Sequence, residues 1–335
     1  MKKRPCAVLL ALALLLLASV LVSVSLGRYA ISPSELVGIL RAQLFGGEVY
    51  WSPIQQSLLL NHRLPRVAAA CLVGACLAAA GASYQSVFQN PIAAPDILGA
   101  SSGAALGAAL AIFLGWDGTA LVLSAFLFSL GTVAAVLFIG SRTRGKRTLG
   151  LVLAGVMVSS LVSSMTSFIK LVADPEDQLP AITYWLMGSL NGIAPQDLVF
   201  AVWPMLAGLV PLLALRWRIN VLTLGDQEAQ AIGVDARRLR ALVVLCATLV
   251  TAASVSISGM IGWVGLVIPH FARRIVGNNY RYLLPAGALL GAVFLLWVDD
   301  ISRNLMATEI PIGILTSFLG APFFLYLISR GGERI

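Results

Sequence analysis

Residues able to do chemistry are few in this sequence, and their spacing argues against catalysis. Gly140-Ser141-Arg142-Thr143-Arg144-Gly145-Lys146-Arg147 nearly spells a phosphate-binding loop. Such a loop needs Ser or Thr after its Lys to hold magnesium, and it follows a strand. Here Arg147 takes that place and an apolar helical run precedes it, so no ATPase is expected within this chain. Gly99-Ala100-Ser101-Ser102-Gly103 matches a nucleophile elbow by letters alone. An elbow needs a strand-to-helix turn with a His and an acid, whereas the two histidines, His62 and His270, are expected on opposite membrane faces. Small residues that let helices approach closely, as in Gly103-x3-Gly107, explain the run better. Cys6, Cys71, Cys76 and Cys246 lie in or beside apolar blocks and form no Cys-x-x-Cys pair. They read as packing residues rather than metal ligands or disulfides. Asp299-Asp300, with Arg303 one turn beyond Asp300, suits an ion pair at a helix end more than a proton site.

The elements carrying these residues are membrane helices. Of 335 residues, 59% are hydrophobic and only 11% charged, and the mean hydropathy is +0.89. Soluble domains are about one-quarter charged, so a soluble enzyme and a disordered chain are excluded. Apolar blocks recur at the length of about 20 residues that a helix needs to cross a bilayer. Ten spans are expected: 7–26, 67–87, 97–115, 119–140, 149–171, 193–215, 239–257, 260–276, 283–302 and 310–329. Met1-Lys2-Lys3-Arg4 before the first resembles a signal peptide, but the apolar run is too long for one and reads as a retained helix. Residues 181–190 are too few to span and read as a re-entrant or interfacial helix.

Charge orients this topology. With the amino terminus inside, seventeen basic residues fall in cytoplasmic segments, among them Lys2, Lys3, Arg4, Arg142, Arg216, Arg238, Arg273 and Arg334. Six fall outside: Arg28, Arg41, Arg63, Arg66, Lys170 and Arg303. That excess is the positive-inside signature. It also accounts for the net charge of +8 without nucleic acid. Two loops are long: 27–66 outside and 216–240 inside. In the second, Leu222 to Gly233 reads as a short helix with Asp226 and Glu228 near its N-terminus and Gly233 as its cap. A second short helix is expected from Val234 to Arg240. The pair is either a partner-docking platform or an interfacial amphipathic turn.

Five motifs in order resemble the FecCD-type permeases, membrane subunits of type II ABC importers for cobalamin, heme and iron-siderophores. They are Arg63-Leu64-Pro65-Arg66; Gly81-x3-Gln85-x4-Asn90-Pro91-x2-Ala94-Pro95-x2-Leu98-Gly99; Leu224-Gly225-Asp226 through Ala231-Ile232-Gly233-Val234; Ile261-Gly262-Trp263-Val264-Gly265-Leu266-Val267-Ile268-Pro269-His270-x2-Arg273; and Glu309-Ile310-Pro311-Ile312-Gly313 with Gly320-Ala321-Pro322-Phe323-Phe324. Trp263 stands where Phe is expected.

The resemblance implies an all-α polytopic protein, one permease domain over 1–335, with coupling helices at about 222–240. It implies a homodimer with its pathway on the two-fold axis, two ATPase subunits that hold ATP and magnesium, a periplasmic binding protein, and surrounding lipid. No cofactor is expected on this chain itself, and no catalytic or metal site. The expected location is a bacterial inner membrane, with both termini cytoplasmic. Arg63, Arg66 and Arg303 are implied to dock the binding protein; Gly225, Asp226, Ala231, Gly233 and Arg238 to couple to the ATPases; Asn90, Ile92, Thr148 and Leu149 to form a cytoplasmic gate. Ser160, Ser163 and Ser164 on the fifth span are implied to line the pathway, although Ser and Thr at that density also suit interhelical bonding. An iron-siderophore or heme is the expected cargo, with cobalamin as the alternative. An ion-coupled secondary transporter is disfavoured by helix centres almost free of charge.

Overall fold

The computed structural model describes residues 5–27, 29, 31–46, 51–142, 147–223 and 225–330. The basic residues Lys2, Lys3, Arg4, Arg28, Arg144, Lys146 and Arg334 lie outside that set, as do the side chains of Thr148 and Asp226.

Every regular element among the described residues is helical. In chain order these are α1 (Pro5–Ser25), α2 (Pro33–Phe45), α3 (Pro53–Ser57), α4 (Leu64–Val87), α5 (Ala100–Phe113), α6 (Gly118–Ser141), α7 (Arg147–Val172) and α8 (Gln178–Leu186). There follow α9 (Pro195–Ala214), α10 (Arg216–Leu222), α11 (Asp226–Ala231), α12 (Ala236–Ser258), α13 (Val264–Val276), α14 (Tyr280–Asn304) and α15 (Ile312–Arg330). Helix fills each of the ten expected segments. Seven are long and apolar enough to cross a membrane: α1, the run Pro53–Val87, α6, α7, α9, α12 and α14. The helices α5 and α13 have 14 and 13 residues.

Small residues set the packing. In lipid, helices associate through close contact rather than hydrophobic burial. At the α4–α14 crossing, Gly74 faces Gly291, and a Cβ on either would overlap the other's backbone carbonyl. Gly103 and Gly107 seat α5 against Thr132 and Ser124 of α6 in the same way, as their spacing predicts. Helix α4 is buried along nearly its whole length, from Val67 to Val87. Helix α1 lies outside this core, exposing Leu10, Leu14, Leu17 and Leu21. It is pinned to α14 by polar bonds: Trp297 Nε1 donates to Ser19 Oγ at 2.9 Å, and Ser23 Oγ donates to Asp300 at 2.7 Å. Interhelical bonds of this kind contribute about 0.6 kcal/mol each in a membrane.

The segment 27–66, expected as a loop, holds α2 and α3. Both begin with a capping box and a Pro at the first helical position. Ser32 accepts from Glu35 N while Glu35 accepts from Ser32 N; Ser52 and Gln55 repeat the arrangement. Those signals, Ser-Pro-x-Glu and Ser-Pro-x-Gln, were readable locally. The same hydrogen bonds hold the Glu35 carboxyl below the usual carboxylate range. Helix α3 then runs through a π-helical turn, Leu58–Arg63, into α4. Pro65 has no N–H to give the preceding turn. Widening that turn lets Leu64 N reach Leu59 O instead.

Residues 181–190 contribute only the end of the nine-residue α8, about 14 Å long and unable to span. The non-helical backbone after it is satisfied inside the protein. Ser189 N donates to Ser258 O (2.8 Å), Ile312 N to Gly188 O (2.8 Å) and Gly313 N to Met187 O (3.2 Å). The ends of α8 and α12 and the start of α15 therefore meet at one junction, which is how irregular backbone is tolerated at membrane depth.

Candidate functional site

The antiparallel pair α4 and α14 carries a polar cluster at each end. At the first end, Arg63, Arg66 and Arg303 come together, as their placement before and after spans predicts. All three are bonded within the chain. Arg66 makes bidentate bonds to Asp299, which is fully buried, and to Glu309, with N···O distances of 2.9–3.1 Å. Arg303 pairs with Asp300 and donates to Ser23 O and Ser23 Oγ at 2.8 Å. Arg63 donates to the carbonyls of Val24 (3.1 Å) and Tyr29. All three guanidiniums also line one open cavity with His62 and Glu309. A buried arginine must be paired, because an uncompensated charge costs several kcal/mol. For Arg66 the pairing carboxylates lie 233 and 243 residues away in sequence. The Asp300–Arg303 pair is the ion pair expected from spacing; the Arg66–Asp299–Glu309 triad was not anticipated, and Glu309 in the last motif was its only local sign.

At the opposite end, α10, α11 and the first turn of α12 form a shelf. Gly225 opens α11 with φ +122°, and Gly233 follows it with φ +81°. Gly233 N and Val234 N bond back to Gln230 O and Ala229 O at 2.9 Å, so the left-handed cap expected there is present. The expected second short helix is instead the start of the 23-residue α12, capped by Asp235, which accepts from Arg238 N at 3.0 Å. Arg238 is exposed and pairs with its neighbour Asp235. Ala229 is buried beneath α11, while Ala231, Ile232 and Gly233 form its exposed rim. The outward face of the shelf mixes apolar Trp217 and Ile232 with polar Glu228, Gln230 and Arg238.

The turn Asn90-Pro91-Ile92 lies beside this shelf. Asn90 Oδ1 accepts from Ile92 N at 3.0 Å, and Ala93 N donates to Asn90 O at 3.1 Å. Asn90 and Ile92 are exposed at its tip, as is Leu149 at the start of α7. Further along α7, Gly155 and Ser159 pack on Ile97 and Gly99 of the short 3₁₀ turn Pro95–Leu98. Ser160, Ser163 and Ser164 are on the exposed face, among Met157, Leu161, Met165 and Phe168. The hydroxyls of Ser164 and Ser167 bond back to Ser160 O and Ser163 O at 3.0 Å. They therefore satisfy their own helix and do not bridge to a neighbour.

The sequence pattern of the FecCD transport family matches residues 15–330. The chain belongs to that family. Within it, the chain is 41% identical to the molybdate import system permease protein MolB of Haemophilus influenzae, over 97% of each sequence. It is 42% identical to a probable iron chelatin transport system permease protein of Helicobacter pylori, over 82% of each. Among solved structures, one described as an inward-facing conformation of a "putative metal-chelate type ABC transporter" superposes with a TM-score of 0.86. It is 40% identical, over 97% of this chain and 99% of that one. The family therefore spans cargoes as different as an oxyanion and an iron chelate.

Proposed function

We propose that this chain is the permease subunit of an ATP-driven ABC importer that moves a metal chelate, an iron-siderophore or heme, across a bacterial inner membrane. The observation that carries this reading is the likeness, over nearly the whole of both chains, to a solved metal-chelate type transporter. In this reading all ten apolar segments cross the bilayer, the shorter α5 and α13 with the help of the bonded non-helical turns beside them. The permease works as a homodimer with its pathway on the two-fold axis. The shelf of α10, α11 and the start of α12 receives two ATPase subunits, which bind ATP and magnesium, and both termini lie on that cytoplasmic side. A periplasmic binding protein delivers cargo at the end holding Arg63, Arg66 and Arg303.

The exposed face of α7 fits a bulky cargo. Its Ser160, Ser163 and Ser164 side chains are short and uncharged, with the Ser164 hydroxyl bonded to its own helix, and Met157, Leu161 and Met165 between them carry no charge. Such a wall offers little to hold a large ligand in transit. Cobalamin suits the same wall. The MolB relative supports a second reading, in which the cargo is molybdate.

Proteoliposomes holding the permease, its ATPase subunits and its binding protein separate these readings. Uptake of iron-siderophore, hemin, cobalamin and molybdate is measured with and without ATP. ATP-dependent accumulation of a chelate is expected. Accumulation of molybdate alone selects the second reading, and ATP-independent uptake driven by an ion gradient overturns both.

A further inference from the structure

Gln89 is one of two non-glycine residues with positive φ among those described, at +48°. The end of α4 sets that conformation: Gln89 N donates to Ser86 O at 3.2 Å and Asn90 N to Gln85 O at 3.1 Å, a helix-ending cap with Gln89 in its left-handed position. The cap aims the side chain at a specific partner. Gln89 Nε2 donates to Leu222 O at 3.1 Å, and Leu222 is the last residue of α10. Carbonyls at a helix C-terminus lack intrahelical donors, so this bond satisfies an acceptor that is otherwise open. Next to it, Ser86 Oγ donates to Ile219 O at 3.4 Å. On the other side of the turn, His270 Nε2 lies 3.2 Å from Pro91 O. A carbonyl only accepts, so His270 carries its proton on Nε2 and donates. The Asn90–Ile92 turn is thereby strung between α10, part of the ATPase shelf, and α13.

We infer that Gln89 is a strut that transmits movement of the α10–α11 shelf to the Asn90–Ile92 turn. The inference rests on the proposed roles of shelf and turn as ATPase seat and cytoplasmic gate. Gln89 is a positioning residue: it touches neither cargo nor nucleotide and acts by fixing where Asn90 sits relative to Leu222. A shift of α10 pulls on the donor of that bond, and the left-handed turn passes the displacement to the exposed tip.

The test uses the assembled transporter carrying Asn90→Cys as a reporter of the distance between the two copies of the turn. Crosslinking with a short bifunctional reagent is read without nucleotide and with ATP trapped by vanadate. With Gln89 present, the yield should change by about fivefold or more between the two states, the low end of allosteric coupling. Gln89→Asn tolerates the left-handed turn but is one methylene too short to reach Leu222 O. Gln89→Met has the length and no donor. Both should abolish the nucleotide response while ATPase subunits still co-purify. Gln89→Lys, which restores a donor with enough reach, should recover most of it. A purely structural role for Gln89 gives no donor-specific recovery, and a full response in Gln89→Asn and Gln89→Met overturns the strut. Absence of crosslinking in every state with Gln89 intact instead overturns the gate reading, and the strut falls with it.

Discussion

At the residue scale, the arginine cluster bears on folding through its buried carboxylate partner Asp299. Arg66 is the only cation within ion-pair reach of Glu309 among the described pairs, and it shares fully buried Asp299 with Arg303. Replacing Arg66 with Met strands a buried carboxylate, which costs about 3–5 kcal/mol. The expected result is a fall in the thermal unfolding midpoint of the purified protein, or loss of folded protein altogether. Adding Asp299→Asn should recover part of that loss, because the second change removes the stranded charge. Equal stability of the Arg66→Met and wild-type proteins would show that water or another group satisfies Asp299. Charge reversal at Arg63, Arg66 or Arg303 therefore reports on folding before it reports on docking.

At the element scale, two glycines with different surroundings should behave differently. Gly74 and Gly291 bring the backbones of α4 and α14 together with no room for a side chain. Gly74→Val should force these central helices apart and lose folded protein, measured by size-exclusion elution after detergent extraction. Gly233 meets nothing within 4 Å of an added Cβ, and its only demand is φ +81°. Gly233→Val should keep the fold at a local strain of about 1–3 kcal/mol, deforming the cap between α11 and α12. The measurement is ATP hydrolysis against cargo uptake in proteoliposomes: uptake should fall with hydrolysis retained, or the ATPase subunits should fail to bind. Full uptake would remove this cap from the coupling path. Gly233→Asn, which tolerates the left-handed region, should be the milder change.

At the scale of the whole molecule, the proposed dimer makes each exposed site near the axis meet its own copy. Leu149 is 58% exposed at the start of α7. A single Leu149→Cys should crosslink across the dimer with a short reagent, and crosslinked protein should bind its periplasmic partner but stop importing. Monomeric protein on non-reducing gels under all nucleotide conditions would place Leu149 away from the axis. The exposed α7 face is a further consequence of the same geometry. Ser163→Phe puts bulk there without disturbing any bond made to another helix, so it should slow uptake while leaving the unfolding midpoint within a degree or two.

The sequence alone determined the class of the protein and the positions of its helices, because span length and hydropathy are local properties set by bilayer thickness. It also determined the caps. The conformation of Gly233 and the boxes at Ser32 and Ser52 depend on residues three or four positions away, although hydropathy alone marks segment 27–66 as loop. Spacing likewise exposed the Asp300–Arg303 pair and the Gly103–Gly107 contact face. Only the tertiary structure decided which groups the arginines bond. Arg66 reads as an exposed cation until α14 runs antiparallel to α4 and brings in Asp299, 233 residues on. The bond from the Ser164 hydroxyl back to Ser160 O likewise appears only once the helix is built. The tie from Gln89 to Leu222 crosses 133 residues and ends on a backbone carbonyl, an acceptor that every residue possesses. No side-chain pattern marks such a partner, so only the packing of α4 against α10 could select it.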